Sequence, residues 1–369
     1  MLSPFKTQAT LMITRRLWIC ALIAIVLLTG FSVESMAAAK SSVMARLASK
    51  SLLLAGTSKG VLSVVGERGH VLISNDNADN WTQIQMPTRT MLNGVYFHDD
   101  QRGWIVGHEE TILRTTDGGK SWTIVNHNPE KEDTPLFDVH FSDAENGFAV
   151  GAYGTFMVTT DGGQTWEFQD VMPISADADD DFENNDVENE YDAEDEYSDD
   201  GYGDEDDYEE DMPFDYHLNH ISKTADGRIF LAAEAGNLLR SDDGGESWIS
   251  LTMPYMGSFF GSLALDDALL VYGLRGHMYR SEDAGESWQE IETGSQSMLT
   301  SGCRLSNGAV VIAGLGGTVL VSSDNGKTFT SKSIIGRQGA SSLMESADKA
   351  LVMTGTFGVK KVAFTELGL

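Results

Sequence analysis

Short runs in which apolar and polar residues alternate recur along this chain, divided by clusters of glycine and small polar residues. Leu92–Phe97 (LNGVYF), Gly103–Gly107 (GWIVG), Thr111–Arg114 (TILR) and Trp122–Val125 read as four successive strands, A to D. Period-two alternation and the β-branched and aromatic content support each assignment. The same plan fits Leu52–Ile84, Leu136–Phe168, Leu218–Leu251, Phe260–Ile291 and Leu299–Ser331. Ser341–Phe364 adds three more strands at the end.

Between strands C and D one eight-residue turn keeps returning. It reads TTDGGKSW at Thr115–Trp122, TTDGGQTW at Thr159–Trp166, SDDGGESW at Ser241–Trp248 and SEDAGESW at Ser281–Trp288. Looser copies stand at Ser74–Trp81 and Ser322–Phe329. This is the Asp-box or BNR signature, Ser/Thr-x-Asp-x-Gly-x-x-Trp/Phe. The carboxylates of Asp76, Asp117, Asp161, Asp243, Asp283 and Asp324 are placed to bond backbone N–H groups of their own turn, so their expected role is structural. The fifth position is glycine in five copies, which suits positive φ. Ala78 replaces it in the first copy, where a distorted or strained turn is expected.

The closing aromatics lie 41, 44, 82, 40 and 41 residues apart, so one repeat carries an insertion of about forty residues. Repeats of this length, each with several short strands, are the sequence mark of a β-propeller. The expected fold is all-β, a seven-bladed propeller of four-stranded antiparallel blades, with a six-bladed ring and a C-terminal cap as the alternative. The last three strands need an outer strand, which about Ser42–Ala48 would supply and so close the ring. Because strands in a blade alternate in direction, A–B turns and Asp boxes share one face. B–C turns and D-to-A links share the other.

Composition changes this picture in two places. The net charge of −31 is concentrated in Ser175–Asp211, with 21 acidic residues in 37 and no Lys or Arg. That stretch follows strand D of the third repeat and precedes strand A of the fourth, so it should leave from the face opposite the boxes. Its charge density predicts a disordered insert. It reads as a solvated loop, a weak divalent-cation tract or a docking tail for a basic partner. The remaining charge of about −10 lacks the basic footprint of nucleic-acid binding.

The second place is the N-terminus. Arg15 and Arg16 precede an apolar core, Leu17–Leu28, and Ala37-Ala38-Ala39 offers a cleavage site. Residues 1–39 are therefore expected to be a signal peptide, with residues 40–369 a single exported propeller domain, periplasmic or secreted. An uncleaved anchor is the alternative, but the core falls short of the ~20 residues needed to span a bilayer. Removing the signal leaves Cys303 as the one cysteine, read as a buried small hydrophobe.

Candidate binding residues come from the B–C turns, since recognition favours loops on a rigid frame. They are Arg68 and His70, His108 and Glu109, Tyr153, Arg275 and His277, and Phe357. Arg114, Arg240 and Arg280 recur just before three boxes and read either as braces of the blade edge or as a basic patch. Three histidines sharing a face, His70, His108 and His277, invite a zinc reading, but no metal, cofactor or catalytic residue is expected.

Asp-box propellers include sialidases and other glycoside hydrolases. Their Phe-Arg-Ile-Pro stretch is missing; Gly227-Arg228-Ile229-Phe230 is the nearest match and lacks the proline. The spacing, the export signal and repeats such as ILRTTDGGKSW resemble more closely the photosystem II stability and assembly factor family. That resemblance implies a non-enzymatic assembly factor or scaffold whose partner is a membrane protein complex or transporter of the cell envelope. A carbohydrate-active enzyme is the competing expectation.

Overall fold

The structure, a computed structural model, describes residues 49–57, 59, 61–175 and 215–369. The expected signal peptide, the closing strand over Ser42–Ala48 and all of the acidic insert after Ser175 lie outside the described residues.

Seven sheets follow one another along the chain and form a ring, so the six-bladed alternative is set aside. The blades span Leu53–Ile84, Leu92–Asn126, Leu136–Phe168, Leu218–Ser250, Phe259–Glu290, Leu299–Ser331 and Ala340–Ala363. Within each blade the strands are antiparallel and ordered as in the sequence. Each inner strand A packs against those of both neighbours, and Ala340–Glu345 packs against Leu53–Thr57 to close the circle.

Strand B is buried along its whole length in every blade, for example at Gly103–Gly107 and Val310–Gly314. It is sandwiched between its own sheet neighbours and the adjacent blades, which is why it reads as a near-continuous apolar run. The core is accordingly divided into seven apolar clusters, one at each blade–blade boundary. Trp104, Val106 and Phe141 fill one such boundary, and Leu53, Val64, Met344 and Val352 fill the one that joins last blade to first.

The links add a second set of joints. Gly154 N–H donates to Tyr216 O (2.9 Å) and Gly236 N–H to Gly257 O (3.1 Å), tying a B–C turn to the link entering the next blade. At the last boundary Val359 N–H donates to Ser49 O (3.1 Å).

Two blades depart from the four-stranded plan. The seventh shows three strands among the described residues. The fourth has five, because Pro173–Ser175 lies parallel to Trp248–Ser250 as an added outer strand, which the sequence pattern did not reveal. The preceding Val171 anchors it by packing into the cluster that holds Trp248 and Leu218. Ser175, the last described residue before Asp215, therefore stands beside Ser250, where an outer strand hands over to a D-to-A link.

Candidate interaction face and the central channel

The repeated turn satisfies itself. In Thr115–Trp122 the Thr115 hydroxyl donates to Asp117 Oδ1 (2.8 Å) and accepts from Gly119 N–H (3.1 Å). Asp117 Oδ1 also accepts from Ser121 N–H (3.0 Å), and Oδ2 from the Ser121 hydroxyl (2.6 Å). The same bonds recur around Asp76, Asp161, Asp243, Asp283 and Asp324. Partial burial pushes Asp117 upward, but the Ser121 and Thr115 bonds outweigh it and hold the carboxyl down to about 2. The seventh position (Asn80, Ser121, Thr165, Ser247, Ser287, Thr328) is thus part of the motif, a polar regularity visible in the sequence.

Two consecutive residues of each box adopt positive φ, so glycine is favoured at both. Ala78 follows the pattern at φ 68° and still donates its N–H to the Ser74 hydroxyl (2.9 Å). The turn is strained, as expected, and is not distorted.

The three arginines reach across to the next blade. Arg114 Nε donates to Gly162 O (2.7 Å), Arg240 Nη1 to Ala284 O (2.9 Å), and Arg280 Nε to Asn325 O (3.4 Å). Each acceptor lies in the following box. Arg240 and Arg280 are buried, at 9% and 3% exposure, and pair with Glu286 and Glu282. Lys361 plays the same part at the ring closure, bonding Asp79 (2.9 Å). These contacts are those of braces between blades.

The B–C turns look different. Arg68 (φ 57°), Glu109 (58°), Tyr153 (53°), Ala235 (56°), Arg275 (57°) and Gly316 (66°) occupy one equivalent tip position in the left-handed region. That conformation costs an L-residue roughly 1–2 kcal/mol that glycine avoids. Four blades nevertheless carry a large side chain there. Tyr153 is 61% exposed, with its ring edge-on to His217 (5.0 Å). Arg68 and Arg275 are exposed. Glu109 lies 3.5 Å from His127.

Several candidate side chains are committed elsewhere. His70 is buried at 3% exposure and bonded to the Ser51 hydroxyl (2.9 Å), and burial lowers its affinity for a proton. His277 stacks on Tyr255 (3.9 Å between rings) and bonds Glu290 (3.0 Å). Phe357 packs on the cluster of the sixth and seventh blades, and His108 is half-buried. His70, His108 and His277 stand on the first, second and fifth blades, and no group of three metal-ligating side chains assembles among the described residues. Glu110, not singled out from the sequence, is buried at 2% exposure with φ 48°. Burial raises its carboxyl, and Asn128 Nδ2 faces it at 3.4 Å.

The exposed large apolar side chains show the same asymmetry. Tyr153 and Leu315 sit in B–C turns, and Tyr216 and Met256 in links on that face. Phe168, Met172 and Ile174 run along the outer edge where the third and fourth blades meet. Among the described residues none lies in an A–B turn or a box.

A central cavity of about 380 Å³ is lined by inner-strand residues of all seven blades. It holds a linear array: Asp138 Oδ2 is 3.7 Å from His220 Nε2, and His220 Nδ1 is 3.4 Å from the Ser262 hydroxyl. Ser262 is only 3% exposed and donates to Ser222 (2.7 Å), so it offers no nucleophile to the channel.

A family model described as photosynthesis system II assembly factor YCF48 matches residues 73–134 and 126–197. The chain resembles the photosystem II assembly-factor propellers. It is 36% identical over 67 residues to the photosystem II stability/assembly factor HCF136 of Guillardia theta, covering 17% of each chain. Identity to the photosystem II assembly lipoprotein Ycf48 of Picosynechococcus sp. is 42% over 55 residues, 14% of this chain and 16% of that one. The matched stretches thus span about a sixth of these relatives. Solved structures extend the likeness of fold. A YCF48 bound to D1 peptide superposes with TM-score 0.61 at 16% identity, covering 85% of this chain and 94% of that one. YCF48 from Cyanidioschyzon merolae gives 0.59 at 18%, covering 89% and 99%.

Proposed function

We propose that this chain is an exported, non-enzymatic assembly factor that holds a segment of an envelope membrane protein against its B–C face. The observation that carries the reading is the selective enrichment of that face. Large side chains are kept there at a costly backbone conformation, and exposed Tyr153, Tyr216, Met256 and Leu315 accompany them. Backbone strain retained where glycine would be free is a mark of functional positions, and exposed apolar side chains ringed by polar ones mark interaction surfaces.

The family likeness supplies the class of partner. A solved relative is described as bound to D1 peptide, and a membrane-protein segment is the corresponding ligand proposed here. Arg68 and Arg275 would pair with its carboxylates, and Tyr153 and Met256 would cover its apolar side chains. Residues 1–39 direct export, with cleavage after Ala39. Among the described residues no helix is long and apolar enough to cross a membrane. The channel lining carries one carboxylate, Asp138, and no arginine, a set that does not favour the glycosidase reading.

Site-directed photo-cross-linking in the native envelope tests this. A photoreactive residue at position 153 or 256 should capture a membrane protein, whereas one at Lys120 or Lys327 on the box face should not. Capture from the box face alone would sink the proposal.

A further inference from the structure

The channel wall is not symmetric. On the fifth to seventh blades it is uncharged, with Phe260, Tyr272, Ser301, Gly302 and Ser342. On the second to fourth it carries Tyr96, Asp138, His140 and His220. Where inner strands pass into A–B turns stand Lys59 on the first blade, His98 on the second and Lys223 on the fourth. Lys59 Nζ lies 3.4 Å from the Tyr96 hydroxyl and 5.2 Å from its ring centre. The Tyr96 ring is 5.0 Å from that of His140, and Lys223 Nζ reaches Ser142 O at 3.4 Å.

The carboxylates nearby are already engaged. Asp138 accepts from Val139 N–H (2.8 Å) and Ile221 N–H (3.0 Å), with His220 beside it. Asp99 closes its own turn onto Gln101 and Arg102, and Asp143 onto Glu145 and Asn146. Meanwhile His98 Nδ1 and the Ser142 hydroxyl oxygen are shut from solvent without a partner. The balance falls on His140. Burial first, then the charges of Lys223, His220, Lys59 and His98, hold its imidazole down to about 4. In a chain of net charge −31, two lysines thus gather around His140 at this end of the channel.

We propose that this end of the channel binds a small multivalent oxyanion, a phosphate or a compact polycarboxylate, between Lys59, Lys223 and His140. The two ammonium groups supply fixed charge, and the His140 ring supplies a donor once the anion is present. A cation is disfavoured, because the lining carboxylate is already engaged. The cavity admits an anion of a few heavy atoms with its water.

Anion and proton binding at His140 are linked, and the linkage is reciprocal. An anion that returns His140 to its ordinary value of 6.5 would bind about thirtyfold more tightly at pH 5 than at pH 8. Sulfate is the probe for this dependence, since its own charge is constant across that range.

The experiment is a titration of the full chain with sulfate, phosphate and citrate, followed by the histidine ring resonances and by calorimetry. Saturable binding that raises the His140 titration is expected. Lys59→Gln/Lys223→Gln should weaken it at least tenfold with an unchanged melt, and His140→Gln should flatten its pH dependence. Phosphate binding more tightly than citrate would assign an inorganic ligand, and the reverse a polycarboxylate. If the double variant fails to fold, exposed Lys59→Gln alone must still weaken binding. No saturable response to any probe, or a response that survives the lysine substitutions, overturns the proposal.

Discussion

The turns on the two faces of this ring follow opposite rules. On one, the carboxylate, the hydroxyls and the N–H groups of each box are spent on each other, and the arginines beside them are spent on the next blade. On the other, backbone bonds tie turn to link while Tyr153, Arg68 and Arg275 are left outward at a left-handed φ. A repeated motif is therefore no guide to where a repeat protein works. What is repeated is what every blade needs; what differs among blades is available for recognition.

The contrast can be broken most severely at Gly163. Its φ is +73°, and an added Cβ would lie 2.1 Å from Trp104 Nε1. Gly163→Val should cost about 4 kcal/mol or more, read as a lower denaturant midpoint. A wild-type midpoint would show that the box is not the staple described.

Removing a brace comes next. Arg280→Ala forfeits the bond to Asn325 O and a buried side chain, for an expected loss of about 2 kcal/mol. Its acidic partners Glu282 and Asp267 are exposed, so no charge is left stranded in the core.

The opposite face should respond with the opposite sign. Tyr153→Gly and Arg275→Gly relieve left-handed strain, so stability should hold or rise by up to ~1 kcal/mol. Partner capture should be lost in the same variants. A clear drop in the melting transition would mean that these tips are structural.

The smallest effect concerns pH. Asp117, Asp161 and Asp324 are held down to about 2 in the folded chain, below their ordinary 3.8. Their contribution is complete above 3.8 and is lost as pH falls from 3.8 through about 2. Asp117→Asn should flatten part of that slope in acid unfolding curves and change nothing on the B–C face. His140 acts in a separate window. With its folded value near 4 against 6.5, stability should fall as pH drops from 6.5 to 4.

Much of the fold was legible because its determinants are local. Leu92–Phe97 and Gly103–Gly107 were readable to the residue, and strands C and D to within one, because period-two patterning and turn glycines lie inside a single hairpin. The strand Pro173–Ser175 was not, since three residues with a leading proline carry no alternation and owe their place to Trp248 across the blade. The candidate site was legible in part. B–C tip positions could be counted off, but the burial of His70 and the stacking of His277 on Tyr255 could not. Met256 was missed because nothing local distinguishes this exposed methionine from buried Met253 in the same link or Met86 in another.

By itself the sequence determined the unit, its period and the blade number, because each box closes its hydrogen bonds within eight residues. It also placed the added residues between the third and fourth blades. Tertiary structure alone decided which side chains of the turns remain free. Arg114 finds its acceptor 48 residues away, and Asp138 accepts from Ile221 across 83. It decided, too, that Lys59, Lys223 and His140 come together at one end of the channel. Such partners meet only when blades are set side by side around a closed ring, and no window along the chain contains both members of the pair.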